Sequence, residues 1–163
     1  MILPRILDKL HGFVRLRAIE KAWLLPVWLL LGASRLAVLT VPFRFLASGL
    51  GLPAGTTSCV PLLSLHEQQE ALWIGRVVRV ASNYTPWQSN CLAQALTARI
   101  LLSLYRIPYS FFLGVMNEAA ETGPRKLKAH AWVSAGKIRV TGGDGFREFA
   151  VVECFVNMLP RVD

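Results

Sequence analysis

The sequence predicts an α+β fold in which a cysteine-bearing helix packs against a small antiparallel sheet. Up to residue 104 the apolar residues recur at helical spacing, whereas from residue 110 to about 156 they form short strand-like runs. Helices and strands that are segregated along a chain are typical of α+β domains. The chain of 163 residues is long enough to bury a core. We expect an N-terminal helical region, 1–60, and a core, 61–163, that together form one compact domain.

The composition limits the classes of partner. Hydrophobic residues make up 53% of the chain and charged residues 17%, and the net charge is +8. Such a chain suits an anionic partner, either an acidic peptide or a membrane surface. Nucleic acid is not expected, because the basic residues are scattered and no nucleic-acid-binding motif occurs. Three cysteines without metal-like spacing predict neither a disulfide scaffold nor a metal site, and a working thiol suits the cytoplasm.

The first helical region contains a long apolar segment. Residues 1–21 predict a basic amphipathic helix whose basic face is either solvated or docked on a membrane surface. Residues 22–34 form an uncharged run of thirteen residues, shorter than the roughly twenty that a spanning helix needs. Pro26 near its start and Arg35 directly after it favour a buried core helix. A signal peptide is the alternative, since a basic start precedes the run and small residues end it.

The middle of the chain predicts a short helix, a loop and a well-capped helix. Pro42 marks a break before a short helical piece, and residues 52–61 are dense in Gly, Pro, Ser and Thr, which favours a loop. Ser64 with Glu67 three residues later is a capping-box pattern and predicts a helix start. The apolar stripe of that helix is Ala71, Ile74, Val78 and Ala81.

Cys91 is predicted to lie in the first turn of the next helix. The polar turn 87–90 precedes it, Ser89 or Asn90 can cap the helix, and Pro108 ends it. The predicted apolar stripe is Leu92, Leu96, Ile100 and Leu104. A cysteine at the positive end of a helix dipole is favoured as the nucleophilic thiolate. The alternative is a small buried cysteine that packs under the helix start.

His130 and Asp144 follow Cys91 in the order of a papain-like triad. The strands are predicted, in chain order, at 110–116, 128–133, 137–140 and 146–156. His130 lies on the second of these strands, after a polar hairpin loop, and Asp144 lies in the glycine-rich turn after the third. In such a triad the thiolate attacks, the imidazole moves the proton and the carboxylate fixes the ring. Glu148 and Glu153 are alternative carboxylates, whereas His11 and His66 have no plausible partner.

These motifs resemble a known family. The pattern Cys91-Leu-x-x-Ala-Leu, the strand end Leu113-Gly114-Val115 and the run 129–133, Ala-His-Ala-Trp-Val, are similar to the transglutaminase-like cysteine peptidases of lasso-peptide biosynthesis. The resemblance implies a stand-alone peptidase, without a cofactor, that cuts a ribosomally made precursor at its leader–core junction. Its implied partners are the precursor peptide, a leader-binding protein and a lasso cyclase.

The resemblance also implies a role for each candidate site residue. Cys91 is the implied nucleophile, His130 the acid–base group and Asp144 the group that holds the ring. The Cys91 amide and the Gln88 side chain are the implied oxyanion donors. Trp132, two residues after the histidine, is the implied substrate contact.

Two other functions fit the same residues. A Cys-His-Asp order also serves acyl transfer, as in transglutaminases and arylamine acetyltransferases. The non-enzymatic alternative is a basic, apolar module that docks on a membrane or a partner protein and uses the cysteine and histidine for packing. If the protein is the peptidase, an exposed face of the region 22–45 is the expected docking surface for a leader-binding protein or a cyclase.

Overall fold

The structure is a computed structural model, and it describes residues 18–57, 59–87, 90–118, 126–143 and 145–158. The helices are α1 (Ala18–Thr40), α2 (Phe43–Ala47), α3 (Leu65–Asn83) and α4 (Cys91–Leu104). The strands are β1 (Leu52–Gly55), β2 (Tyr109–Glu118), β3 (Lys126–Ala135), β4 (Ile138–Arg139) and β5 (Ala150–Asn157), with a 3₁₀ turn at Gly145–Glu148 before the last strand. The α+β prediction is confirmed.

The five strands form one antiparallel sheet with the order β1-β5-β2-β3-β4. Its centre is the long hairpin of β2 and β3, in which Ser110 lies opposite Ser134 and Glu118 opposite Lys126. The sequence prediction missed β1, because Leu52–Gly55 contains Pro and Gly and was expected to be a loop. An edge strand tolerates such residues, since only one of its sides joins the ladder.

The boundaries of the later strands differ from the predicted ones. The return strand is shortened to Ile138–Arg139, and the last strand begins at Ala150 because residues 145–148 form the 3₁₀ turn. The hairpin strands reach into both ends of the polar insertion 117–128. Residues 119–125 at its tip lie outside the described residues.

The sheet separates two apolar clusters. The main core lies between the helices and the sheet face that carries Phe111, Ala131 and Val133. The opposite face carries Phe112 and Trp132 in a smaller cluster. Side chains alternate between the two faces of a strand, which explains why neighbours in sequence belong to different clusters.

Helix α3 confirms its sequence prediction. The Ser64 side chain accepts a hydrogen bond from the Glu67 amide, and the Glu67 side chain accepts one from the Ser64 amide, so the capping box is present. All four residues of the predicted stripe, Ala71, Ile74, Val78 and Ala81, are buried.

Helix α4 buries the first half of the predicted stripe but not the second. Leu96 is buried and Leu92 packs against the main core, as predicted, whereas Ile100 is 37% and Leu104 65% exposed. Residues four apart drift by about 40° per step around a helix, so a stripe of four such residues turns through about 120°. Ala93, Thr97 and Leu101 hold the helix close to its neighbours instead.

Helix α1 is longer and more exposed than predicted. It continues unbroken past Arg35 to Thr40 and includes Pro26. Val27 and Leu31 are fully buried, as a core helix requires, yet Leu29 is 57% and Leu36 62% exposed. Within the described part of the chain, Ala22–Thr40 is the segment that is long and apolar enough to cross a membrane, by length and composition alone.

Candidate active site

The segment that leads into α4 is anchored on α1. The rings of Trp28 and Trp87 lie 4.9 Å apart, and Trp28 Nε1 donates a hydrogen bond to the Tyr84 carbonyl oxygen at 3.2 Å. Gly32 faces the Trp87 ring so closely that a Cβ there would lie 3.1 Å from it. The end of α3 and the start of α4 are therefore both fixed against the same helix.

Cys91 is the first residue of α4, as the sequence predicted. Asn90 is the N-cap, and its side-chain oxygen accepts a hydrogen bond from the Ala93 amide at 3.0 Å. The Cys91 side chain is partly buried against the main core. The first amides of a helix point out of its N-terminus and stabilise negative charge there. An oxyanion that forms beside Cys91 is therefore electrostatically favoured.

His130 lies on β3, opposite Gly114 of β2, with one ring nitrogen already engaged. Its Nε2 atom lies 2.9 Å from the carbonyl oxygen of Gly142. A carbonyl oxygen only accepts hydrogen bonds, so Nε2 must carry the proton and donate it. In the neutral ring the lone pair is then on Nδ1, which makes no hydrogen bond to any residue that the structure describes. The ring thus presents an unpaired acceptor, the Nδ1 lone pair, with respect to the described residues.

Aromatic rings hold the imidazole in place. The ring centroid of Phe149 lies 4.9 Å from that of His130, and the centroid of Trp132 lies 5.8 Å away in a stacked orientation. Trp132 in turn stacks on Phe112 at 5.3 Å with an interplanar angle of 12°. Offset aromatic stacking restricts ring rotation. We call His130, Phe112, Trp132, Phe146 and Phe149 the histidine cluster.

Two glycines make room for this cluster. A Cβ on Gly142, whose φ is +104°, would lie 2.3 Å from the Trp132 Cβ atom and 3.4 Å from His130 Nε2. A Cβ on Gly114 would lie 2.8 Å from the Trp132 ring and 2.9 Å from the Phe149 Cβ atom. Real Cβ atoms do not approach other atoms so closely, and the positive φ at Gly142 also disfavours any other residue. The backbone at both positions is therefore specific to glycine.

Cys91 and His130 lie on different sides of the sheet. Helix α4 packs on β3 and β2, and Cys91 is its first residue. Ala131 and Val133 face α4, whereas the His130 ring lies with Trp132 on the opposite face. No hydrogen bond joins Cys91 Sγ to the imidazole, among the bonds that the described residues make.

The candidate carboxylates occupy different positions. Asp144 lies outside the described residues, as does Gln88. The Glu153 carboxylate accepts hydrogen bonds from the backbone amides of Gly55, at 2.9 Å, and Cys154, at 3.2 Å, and so it stabilises β1 against β5. Glu148 is exposed at the end of the 3₁₀ turn. The hydrogen-bond partner that the structure shows for His130 is thus a backbone carbonyl.

A cleft of about 400 Å³ opens beside the histidine cluster. Trp132, Phe146 and Phe149 line it together with Val60 and Arg147. Trp132 was predicted as a substrate contact, and it does border the cleft, although only 3% of its surface is exposed. The lining is apolar with one nearby cation, which suits an apolar side chain of a bound peptide.

The other two cysteines, Cys59 and Cys154, belong to the apolar cluster on the sheet face that carries Trp132. Cys154 is fully buried, and burial raises the pKa of its thiol. Cys59 packs against the same cluster, and all three cysteines are free. Among the described residues, no group of three or more His, Cys, Asp or Glu side chains is placed to hold a metal ion.

Residues 37–154 match the family model of the Transglutaminase-like superfamily. The match covers well over half of the chain and includes both Cys91 and His130. The chain belongs to the transglutaminase-like superfamily. This superfamily includes cysteine peptidases and acyltransferases, and its members are usually enzymes. Neither the curated proteins nor the solved structures contain a match to this chain.

The sequence analysis did not find several residues of this transglutaminase-like site. Gly142 was noted only as part of a glycine-rich turn, and Phe112, Phe146 and Phe149 were not assigned to a site. The signal for Phe112 is its register, since it lies directly opposite Trp132 in the hairpin. No local pattern reveals the contact of Phe149 with His130, because the 3₁₀ turn between β4 and β5 creates it.

Proposed function

We propose that this protein is a cysteine peptidase in which Cys91 is the nucleophile and His130 the acid–base residue. The observation that carries the proposal is the Nε2–Gly142 hydrogen bond, which leaves Nδ1 free of described partners in a chain of a cysteine-enzyme superfamily. The cysteine at the N-terminus of α4 supports the same chemistry.

The mechanism begins with proton transfer from the Cys91 thiol to His130 Nδ1. The thiolate attacks the carbonyl carbon of the scissile peptide bond, and the Cys91 amide with the Gln88 side chain stabilises the oxyanion. The carbon–nitrogen bond then breaks, and His130 gives its proton to the departing amine. Water adds to the thioester with His130 as base, which releases the acid product and restores the thiol.

This mechanism requires Cys91 Sγ and His130 Nδ1 to come within hydrogen-bond reach during turnover. In enzymes without bound substrate, catalytic hydrogen bonds are often long and tighten only in the complex. Because the His130 ring lies on the sheet face opposite to α4, this approach requires a displacement of the His130 ring or of the α4 N-terminus, and the contacts of the ring with Trp132 and Phe149 oppose it. Since Nε2 donates to the Gly142 carbonyl and Nδ1 takes the thiol proton, the proposed role of Asp144 is to stabilise the charged imidazolium.

The proposed substrate is a ribosomally made lasso-peptide precursor, cut between leader and core in the cytoplasm. The motifs around Cys91 and His130 support this assignment, together with the net charge of +8, which suits an acidic leader. The apolar cleft beside Trp132 would receive a side chain next to the scissile bond. A leader-binding protein and a lasso cyclase are the proposed partners.

The test is incubation of the full chain with a synthetic leader–core precursor, with and without a leader-binding protein, followed by mass spectrometry. Hydrolysis is expected, with one water added across the junction. The Cys91→Ala variant should lose the activity, while the matched Cys59→Ala variant should keep it. Full cleavage by Cys91→Ala would contradict the mechanism.

Acyl transfer is the second candidate, because the superfamily includes acyltransferases as well as peptidases. The same experiment separates the two when an amine is added. A product that contains the amine in place of water identifies an acyltransferase. Cleavage of unrelated peptides but not of the precursor would leave the cysteine-peptidase proposal standing and reject the lasso substrate.

A further inference from the structure

Helix α1 has two apolar faces, and the residues that the structure describes cover only one of them. Val27 and Leu31 on the inner side are fully buried, and Ser34 is 5% exposed. On the outer side Leu25 is 66% exposed and Leu39 65%. A surface helix of a globular protein is normally polar on the side that faces water. The outer side of α1 therefore differs from an ordinary solvated surface.

The exposed residues on this side form one continuous stripe. We define the outer apolar face as Ala22, Leu25, Pro26, Leu29, Ala33, Leu36 and Leu39 of α1, followed by Val41, Phe43 and Phe45. No member is charged, and the stripe from residue 22 to residue 40 is about 28 Å long. Thr40 is exposed beside the stripe, but its hydroxyl donates a hydrogen bond to the Leu36 carbonyl oxygen. Its hydroxyl proton therefore does not need water as a partner. Contiguous exposed apolar surface of this kind marks an interaction site.

The charges around the outer apolar face have one sign. The sequence contains neither Asp nor Glu from Lys21 to His66, whereas Arg35 and Arg44 lie within this stretch. The guanidinium carbon of Arg44 lies 4.8 Å from the centre of the Phe45 ring. A cation beside an exposed aromatic ring suits the boundary between lipid tails and headgroups, because the ring enters the apolar layer and the cation meets phosphate.

The inner side of α1 determines how the helix meets a bilayer. Ser34 is buried, and its hydroxyl oxygen lies 3.0 Å from the hydroxyl oxygen of Thr97 on α4. Trp28 bonds to the carbonyl oxygen of Tyr84, at the end of α3. A helix that is attached to the rest of the domain along one whole side cannot be surrounded by lipid. The segment that is long enough to span a membrane is therefore arranged to lie flat on one.

We propose that the outer apolar face docks the protein on the surface of an anionic lipid bilayer, with α1 parallel to the membrane plane. The leucines of α1 and the rings of Phe43 and Phe45 enter the boundary between headgroups and acyl chains. Arg35, Arg44 and the overall net charge of +8 attract the anionic headgroups. This docking is independent of the peptidase chemistry.

The test is flotation of the full chain with vesicles of phosphatidylglycerol and phosphatidylcholine, compared with vesicles of phosphatidylcholine alone. We expect binding to the anionic vesicles that weakens with added salt. The double variant Leu29→Glu/Leu36→Glu should bind about tenfold more weakly or worse. Arg44→Gln should lower the affinity about fivefold, since one basic residue near such a surface contributes about that factor.

The matched control is Leu62→Glu/Leu127→Glu, which places the same two charges on leucines that are 89% and 68% exposed elsewhere. It should bind like the unchanged chain, and circular dichroism should show both double variants folded. Equal vesicle binding by the two double variants would overturn the proposal. So would equal binding to both kinds of vesicle, or a dimer in solution that only Leu29→Glu/Leu36→Glu dissociates, because the face would then belong to a second copy.

Discussion

The Nε2 nitrogen of His130 lies 2.9 Å from the carbonyl oxygen of Gly142. A backbone carbonyl thereby does for this imidazole what a carboxylate does in a Cys-His-Asp triad: it selects the tautomer and orients the ring. The carbonyl is held by the turn after β4, where Thr141 bonds through both its amide and its hydroxyl to Val133 of β3. The orientation of His130 thus depends on the backbone path of residues 140–143.

Replacement of Gly142 by Ala should disturb both the fold and the histidine. The new Cβ would lie 2.3 Å from the Trp132 Cβ atom, so the turn must move away from β3. We expect a loss of about 2 kcal/mol or more in the free energy of unfolding, measured by urea denaturation, and a large loss of peptidase activity.

Gly143→Ala is the matched control for that prediction. Gly143 also has a positive φ, of +62°, but a Cβ there would meet no atom within 4 Å. It should cost only about 1 kcal/mol, the penalty of the left-handed conformation. Equal effects of the two substitutions would show that the contact with Trp132 is unimportant.

The reactivity of Cys91 reports whether it meets His130, without any substrate. If the imidazole takes the thiol proton, His130→Gln should slow the alkylation of Cys91 by iodoacetamide at pH 7 about tenfold. Peptide mass spectrometry resolves the three cysteines, and the buried Cys154 should stay unmodified in the folded protein. An unchanged rate at Cys91 would mean that the two side chains act separately.

Asp144→Asn tests the third member of the proposed triad. The amide has the size of the carboxylate but no charge, so it should lower kcat more than it changes KM if Asp144 stabilises the imidazolium. The comparison is Glu153→Gln, which should lower stability rather than activity, because Glu153 binds the amides of Gly55 and Cys154. A normal kcat in Asp144→Asn would leave the Gly142 carbonyl as the orienting group.

The buried thiol of Cys154 predicts a pH dependence of stability. Burial raises its pKa in the folded protein above the ordinary value of 9.0, so the unfolded chain loses the proton first as the pH rises. The free energy of unfolding should therefore be constant below about pH 8.5 and fall above it, by at most about 1.4 kcal/mol per pH unit.

Urea titrations between pH 7 and pH 9 measure the onset of this fall, and they stop before the unfolded chain loses the proton of Tyr105, whose pKa is raised from 10.0 in the folded protein. Cys154→Ala should lower stability at every pH because it leaves a cavity, but it should flatten the slope. An unchanged slope in that variant would assign the fall to other groups.

Local signals in the sequence were sufficient for the α+β class, the capping box at Ser64 and Glu67, and the position of Cys91 at a helix start. Each depends on residues within one or two turns of each other, so the pattern carries the information. Where contacts between residues far apart in the sequence determine the structure, the sequence predictions were wrong or incomplete. Ile100 and Leu104 of α4 were predicted to face the core but are exposed, and β1 was taken for a loop.

The sequence by itself determined which side chains could do chemistry here: one cysteine at a helix N-terminus and one histidine in an apolar strand. Only the tertiary structure decided that the Gly142 carbonyl holds His130 and that aromatic rings from two segments, Trp132 and Phe149, lie against it. It also decided that the described residues leave one apolar side of α1 uncovered. The physical reason is that hydrogen bonding and burial depend on register and packing between elements, which residue types along one element do not specify.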